Sequence, residues 1–241
     1  MKILGIEWSS SHRPLAIGEW SSDAGVRILA TAILSGGRDS KYFDAFRIAA
    51  EQAGIQKGDI EAVVVGLGPG SYAGIRSGIS VAYGWHLANR ASLIGIPSAR
   101  VIARKAFAEK SVTRVHTLID AQRGECYHAI FERQKDGSLH IIKRLALIHP
   151  DQLPCPEADN EIFAGSGMQR WFQGESKKGD SILNVSPDAA TLIHEAECSL
   201  HLPSSNILEP IYLRPTSFVK APPPRILLKE DEANNDVNLE S

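Results

Sequence analysis

The sequence predicts an α/β protein built from two similar halves. Each half opens with three strand-like runs and continues with alternating helical and strand patterns, which is typical of a sheet covered by helices. The composition is that of a globular chain, because 43% of the 241 residues are hydrophobic and 22% are charged. We therefore expect a duplicated α/β unit, with one mixed sheet and flanking helices in each of two lobes of about 100 residues.

The first half contains five predicted strands and three predicted helices. Apolar runs separated by Gly, Ser and Asp clusters predict strands joined by hairpins, at residues 2–7, 14–20 and 26–34. Apolar spacings of three and four predict a helix that Asp39 caps and that ends at Gly54. The β-branched run 60–65 then predicts a buried central strand. A glycine-rich turn follows, then a helix over 74–89, a strand over 93–96 and a helix over 98–108.

The second half repeats this order. Its predicted strands cover residues 115–120, 126–133, 139–148, 162–164 and 182–185, and its predicted helices start at Met168 and cover 189–200. We expect an N-terminal lobe at residues 1–110 and a C-terminal lobe at residues 111–220. Residues 221–241 contain three consecutive prolines and an excess of acidic residues, which predicts a disordered acidic tail.

Composition excludes several classes of protein. A net charge of −2 provides no general basic field for nucleic acid. No apolar run approaches the roughly 18 residues of a membrane span, and the first residues lack a signal-peptide core. The three cysteines, Cys126, Cys155 and Cys198, form no C-x-x-C pair, which argues against a disulfide framework. We therefore expect a cytoplasmic protein.

The glycine-rich turn is the most informative segment. Gly68, Pro69, Gly70 and Ser71 separate a predicted buried strand from the helix that carries Arg76. Such a turn can bring backbone N–H groups close to an anion. It matches only a loose dinucleotide pattern, and no Asp or Glu occurs from residue 62 to residue 108, so the expected ribose-binding acid is missing. A ligand site and a tight strand-to-helix connection both remain open.

The helix after this turn predicts a close neighbour. Gly74, Gly78 and Ala82 lie four residues apart on one face, and glycine inside a helix costs about 1 kcal/mol relative to alanine. A sequence that keeps this cost lets another backbone approach. The helix is apolar on nearly all sides, which predicts burial on nearly all sides. The second neighbour is the helix near residues 39–53, a helix of another chain, or both, since two such helices side by side make half of a four-helix bundle.

Several catalytic motifs are absent from the sequence. No two of the eight histidines are at positions i and i+4, so the chain has no H-x-x-x-H metal site, and it has no G-x-S-x-G elbow. Glu7 and Asp120 end the first predicted strands of the two halves, where a two-lobed phosphotransferase holds metal and nucleotide. The turns after them offer few close backbone donors. We therefore interpret Glu7 and Asp120 as a vestigial nucleotide site, and we expect no cofactor and no metal.

Three ordered motifs resemble a known family. They read GPGSYAGIR at residues 68–76, IDAQRGE at 119–125 and PIYLR at 210–214. Together they resemble the TsaB (YeaZ-like) family, the accessory subunits of bacterial tRNA threonylcarbamoyladenosine synthesis. The resemblance implies an actin-like fold of the Hsp70 and sugar-kinase type and a chain that is not itself the catalyst.

The resemblance also implies partners. A family member docks through helices of its first lobe on TsaD, the catalytic threonylcarbamoyltransferase, and a small ATPase, TsaE, joins them. Together they modify the adenosine beside the anticodon of tRNAs that read codons starting with A, so we expect tRNA contact mainly through the complex. A homodimer could form when the chain is alone. The interface residues implied for this chain are Tyr42, Phe46, Ala49, Gly74, Gly78, Ala82 and Trp85.

Two other hypotheses and one charge pattern remain open. The chain could be a small-molecule kinase or ATPase that uses Glu7 and Asp120. It could also be a free-standing peptidase-like or acyltransferase-linked protein, which the missing H-x-x-x-H argues against. The acid-free stretch 62–108 carries five basic residues, which could face phosphates or could be an ordinary solvated or partner-facing pattern.

Overall fold

The computed structural model describes residues 1–34, 42–154, 160–172, 182–200 and 207–214. The strands are β1 (Lys2–Ile6), β2 (Pro14–Ser21), β3 (Gly25–Ile33), β4 (Ile60–Gly66), β5 (Ser92–Ile96), β6 (Arg114–Asp120), β7 (Cys126–Arg133), β8 (Leu139–Ile148), β9 (Glu161–Gly165) and β10 (Ile182–Asn184). The helices are α1 (Tyr42–Ala53), α2 (Tyr72–Asn89), α3 (Ser98–Glu109) and α4 (Ala189–Glu195). Short 3₁₀ helices cover Lys57–Asp59, Pro150–Gln152, Met168–Trp171 and Glu197–Ser199.

The two sheets have the same topology. The first has the strand order β3-β2-β1-β4-β5, and the second has β8-β7-β6-β9-β10. In each sheet the first three strands pair antiparallel, and the last two strands add parallel to the first. The prediction of a duplicated α/β unit with two mixed sheets is therefore confirmed.

The clearest differences from the prediction concern three helices. Helix α2 begins at Tyr72 rather than at Gly74, because the Ser71 side chain accepts a hydrogen bond from the backbone N–H of Gly74 and caps the helix. From Met168 the described residues form a 3₁₀ turn over Met168–Trp171, and residues 173–181 lie outside the described ranges. The helix predicted over 189–200 ends at Glu195 and is followed by a 3₁₀ turn over Glu197–Ser199. Asp39, Cys155 and the acidic tail lie outside the described residues.

Helices α3 and α4 connect the two sheets. Helix α4, from the second half of the chain, packs against β1 and β2. Gly5 makes this possible, because a Cβ there would lie 2.8 Å from the Ala189 carbonyl oxygen. Helix α3 packs through Ile102 and Phe107 on the core of the second sheet. The lobe boundary near residue 110 stays a prediction. Helix α3 precedes this boundary but covers the second sheet, and helix α4 follows it but covers the first sheet.

Helices α1 and α2 cover the other face of the first sheet. Their inward side chains form one core with strands β1, β2 and β4. The strand β4 is buried along almost its whole length, as its β-branched sequence predicts. In the described ranges, none of the helices has the length and hydrophobicity to cross a bilayer.

Candidate functional site

The glycine-rich turn packs tightly against the chain itself. The backbone N–H of Ser71 donates to the carbonyl oxygen of Ser9 at 2.7 Å. A Cβ at Gly70 would clash with that same carbonyl oxygen, and a Cβ at Gly74 would clash with the carbonyl oxygen of Trp8. The glycines therefore let the start of α2 lie on residues 8–9. Of the two readings of this turn, the geometry favours the strand-to-helix connection.

Gly78 and Gly84 of α2 have different surroundings, because Gly78 faces the sheet and Gly84 faces open space. A Cβ at Gly78 would lie 3.3 Å from Cγ2 of Ile6 and 3.5 Å from Cγ2 of Val65, so the close neighbour of Gly78 is the chain's own sheet. A Cβ at Gly84 would meet nothing within 4 Å, and Gly84 is exposed. Packing inside the described chain accounts for Gly78 but not for Gly84.

The residues expected at a partner interface lie largely inside the first lobe. Buried positions are Tyr42, Phe46, Ala49, Gly74, Gly78 and Ala82, and Trp85 is half-buried. Those with side chains belong to, or pack against, the core between the helices and the first sheet. They therefore expose little surface to a partner, and their place at an interface stays a prediction. They shape the helix pair from within.

Other residues of the same helices point outward. Phe43 of α1 is 73% exposed and Leu87 of α2 is 82% exposed, and Ile48 is 44% exposed. Large apolar side chains with this exposure on neighbouring helices are typical of an interaction surface. The sequence argument missed Leu87 because α2 is apolar on nearly all sides, so periodicity did not show which side faces the sheet.

An aromatic cluster joins the two helices. The indole N–H of Trp85 donates to the hydroxyl oxygen of Tyr42 at 2.7 Å, and the rings of Phe46 and Trp85 lie 4.9 Å apart. Trp8 packs edge-on against Tyr42 at 5.6 Å. The N-terminal turn of α1 and the C-terminal turns of α2 are thus held together.

The two predicted carboxylates have different environments. Glu7 is fully buried; it accepts the backbone N–H of Ser9 at 2.9 Å and is bonded to the hydroxyl of Ser98 at 2.9 Å. This burial raises the pKa of Glu7. Asp120 instead lines the cleft between the lobes and accepts the backbone and side-chain N–H groups of Gln122, each at 2.9 Å. Glu7 is not among the residues that line that cleft.

The cleft has a volume of about 600 Å³. Its lining is rich in hydroxyl groups, from Ser9, Ser10, Ser11, Ser71, Tyr72, Tyr127 and Ser166. None of the lining residues described there is Lys or Arg. A phosphate held in this cleft would face the carboxylate of Asp120 without a cation to balance its charge. Such a lining suits a neutral polar group better than a triphosphate.

The basic residues of the acid-free stretch are mostly neutralised. Arg100 and Arg104 both bind the buried carboxylate of Glu195, and Lys105 binds Asp188 at 2.9 Å. These ion pairs join α3 to α4 and the residue before it. Within the described ranges, Arg76 and Arg90 of this stretch have no carboxylate within ion-pair distance. The stretch as a whole therefore presents no continuous basic face.

Comparison with known proteins identifies relatives. The family model described as TsaD, tRNA N6-adenosine threonylcarbamoyltransferase, matches residues 42–161. The tRNA threonylcarbamoyladenosine biosynthesis protein TsaB of Escherichia coli K12 is 30% identical over 169 residues, which cover 65% of this chain and 71% of that protein. TsaB of Haemophilus influenzae is 27% identical over 173 residues, covering 67% of this chain and 73% of the relative.

A solved structure supports the fold. YeaZ from Pseudomonas aeruginosa superposes with a TM-score of 0.74 at 21% identity, over 88% of this chain and 99% of its own. The two equivalent sheets described above agree with this match, and the expected actin-like duplicated fold is confirmed. On the strength of the Escherichia coli relative and of the three sequence motifs, the chain belongs to the TsaB family.

Proposed function

We propose that this chain is a non-catalytic subunit that binds and activates a TsaD-type threonylcarbamoyltransferase, with a TsaE-type ATPase as third component. The complex modifies the adenosine beside the anticodon of tRNAs reading codons that start with A, in the cytoplasm. Membership of the TsaB family supports the pathway. The proposal that the chain binds a partner rests on one observation, the exposed apolar residues of α1 and α2.

We call Phe43, Gly84 and Leu87 the docking face. Phe43 follows Tyr42 and Leu87 lies two residues after Trp85, so both come from the helix ends that the Trp85–Tyr42 hydrogen bond joins. Two helices side by side with exposed apolar groups form half of a four-helix bundle. A helix pair of the TsaD-type subunit would complete it, and a second copy of this chain could take that place when the subunit is absent.

The alternative of a small-molecule kinase or ATPase has less support. Such an enzyme needs both carboxylates on the cleft and cations for the transferred phosphate. Glu7 is buried beneath Ser9 and Ser98, and the described cleft lining includes Asp120 but neither Lys nor Arg. Both features disfavour phosphoryl transfer by this chain.

Association with the TsaD-type subunit tests the proposal. The two purified chains should co-elute in size-exclusion chromatography at low and high salt, because apolar contacts are little screened by salt. Leu87→Asp and Phe43→Asp should weaken the complex about ten-fold or more. Ile141→Asp is the matched control, since Ile141 is a 44% exposed isoleucine on strand β8, far along the chain from the docking face. Separate peaks for the wild-type chains at both salt concentrations would contradict the proposal.

A further inference from the structure

Three exposed side chains form an aromatic platform beside the cleft. The rings of Tyr72 and Tyr212 stack at 5.4 Å with an angle of 27°, although Tyr72 is 59% exposed and Tyr212 is 49% exposed. The guanidinium of Arg76 lies 4.9 Å from the centre of the Tyr72 ring and donates to the Tyr72 hydroxyl. Tyr72 is also part of the cleft wall. We call Tyr72, Arg76 and Tyr212 the aromatic platform.

The platform is not required to fasten the segment 207–214. The backbone N–H of Leu208 donates to the hydroxyl of Tyr83 at 2.8 Å, and that of Ile211 donates to the carbonyl oxygen of Leu67 at 2.9 Å. Arg214 binds Glu125 at 2.6 Å. These bonds fix the segment on both sides of Tyr212 without using the stacked rings or the guanidinium of Arg76.

The chemistry of the platform differs from that of the docking face. Flat aromatic rings beside a guanidinium recognise nucleobases, because bases stack on tyrosine and on arginine planes while the cation attracts phosphate. Arg76 has no carboxylate at ion-pair distance in the described part of the chain, so it is available to a phosphate. Phe43 and Leu87, in contrast, are exposed apolar side chains and suit a protein partner.

We propose that the aromatic platform stacks against an unpaired base of single-stranded RNA, with Arg76 at the adjoining phosphate. The side-chain oxygens of Ser10, Ser11 and Gln122, on the neighbouring cleft wall, provide acceptors for ribose hydroxyls. The site would give this subunit a direct contact with tRNA. This inference rests on the proposed function for the identity of the RNA, but its chemistry is tested on the isolated chain.

Fluorescence anisotropy with a labelled RNA hairpin that has an unpaired loop tests the inference. The full-length chain should bind the hairpin more tightly than a blunt RNA duplex of the same length. Tyr212→Ala and Tyr72→Ala should each weaken hairpin binding about ten-fold, whereas Tyr212→Phe, which keeps the ring, should bind as the wild type does. Arg76→Gln should reduce the slope of log K against log salt by about 0.7.

Controls separate this site from the docking face. Leu87→Asp should bind the hairpin normally and lose the TsaD-type subunit, while Tyr212→Ala should show the reverse. Circular dichroism checks that each variant is folded, and Arg76→Gln, on α2, tests the site without a substitution in the segment 207–214. Unchanged hairpin binding in both Tyr212→Ala and Arg76→Gln overturns the inference. So does a loss of the TsaD-type subunit alone in Tyr212→Ala, which would assign the platform to the protein partner.

Discussion

The indole N–H of Trp85 donates to the hydroxyl oxygen of Tyr42 across 2.7 Å. Tyr42 is buried at the start of α1, and burial raises the pKa of its phenol, so the hydroxyl stays neutral and accepts the bond. This hydrogen bond connects the first turn of α1 to the C-terminal part of α2. The relative position of these two helix ends determines the shape of the docking face.

Removing the acceptor of this bond should destabilise the fold. Tyr42→Phe leaves the indole N–H of Trp85 without its partner, which costs about 1–3 kcal/mol. Urea unfolding measures the loss. In a double-mutant cycle with Trp85→Phe, the second substitution should cost less in the Tyr42→Phe background than in the wild type. Strictly additive effects would show that the two residues do not interact.

The two glycines of α2 should respond in opposite ways. Gly78→Leu forces a side chain against Ile6 and Val65 and should lower the free energy of unfolding by about 1–3 kcal/mol or more. Gly84→Ala, with nothing within 4 Å of the new Cβ, should raise it by up to about 1 kcal/mol. Thermal unfolding of the isolated chain gives both values. Equal stability of the two variants would mean that Gly78 does not face the sheet.

Glu7→Gln should stabilise the chain at neutral pH. Burial raises the pKa of Glu7, so the folded chain retains a proton that the unfolded chain loses above about pH 4.5. Wild-type stability therefore falls as pH rises. Glutamine cannot ionise and keeps the shape; its oxygen accepts the Ser9 N–H, and its amide nitrogen donates to the Ser98 hydroxyl oxygen. The gain from Glu7→Gln should be larger at pH 7 than at pH 4, measured by urea unfolding. Association with the TsaD-type subunit should be unchanged.

Loss of association in a stable Glu7→Gln protein would contradict the view that Glu7 is a buried structural group. Loss of an ATPase activity in the same variant would instead favour the kinase alternative. The matched variant Asp120→Asn changes the carboxylate on the cleft wall and should also leave association intact.

A buried histidine pair in the second sheet should make the fold sensitive to acid. Nε2 of His116 lies 3.1 Å from Glu161, and Nδ1 lies 3.2 Å from Nε2 of His128. If His116 donates to Glu161, then His128 donates to His116, and Nδ1 of His128 has no hydrogen-bond partner among the described residues. Desolvation lowers the pKa of both rings, that of His128 to about 3, with Arg114 and Lys143 also disfavouring charge.

The unfolded chain therefore binds more protons than the folded one below about pH 6.5. Stability should fall as pH drops below that value, by up to about 1.4 kcal/mol per pH unit for each imidazole that stays neutral. His128→Phe keeps the ring stack but removes one titrating group, so it should flatten the decline. His140→Gln, at an exposed histidine, serves as control. An identical pH profile in His128→Phe and the wild type would contradict this assignment.

The sequence predicted the strands and the duplication well because their signals are local. The β-branched run ending at Gly66 and the hairpins of each half needed no long-range information. The sequence could not predict that Gly78 faces the sheet. Helix α2 is apolar on nearly all sides, so its pattern has no polar side that would mark the solvent-facing surface. The burial of Glu7 depends on Ser98, 91 positions away.

The aromatic platform also lay beyond sequence reasoning. Tyr72 and Tyr212 belong to two separate motifs of the family, and only the fold places their rings 5.4 Å apart. The sequence also did not predict that α3, from the first half of the chain, covers the second sheet and that α4, from the second half, covers the first sheet. Which sheet a helix covers depends on close approaches such as that of Gly5 to Ala189, and these join residues that are distant in the chain.

The affinity of Gly84→Leu for the TsaD-type subunit tests the docking face most directly. Gly84 is exposed and open, so leucine there leaves the isolated fold intact while it fills the space that a partner helix would need. Isothermal titration should give a Kd about ten-fold or more above that of the wild type, with a smaller change for Gly84→Ala. A Gly84→Leu chain that binds the subunit with the wild-type Kd would contradict the assignment of α1 and α2 as the partner surface.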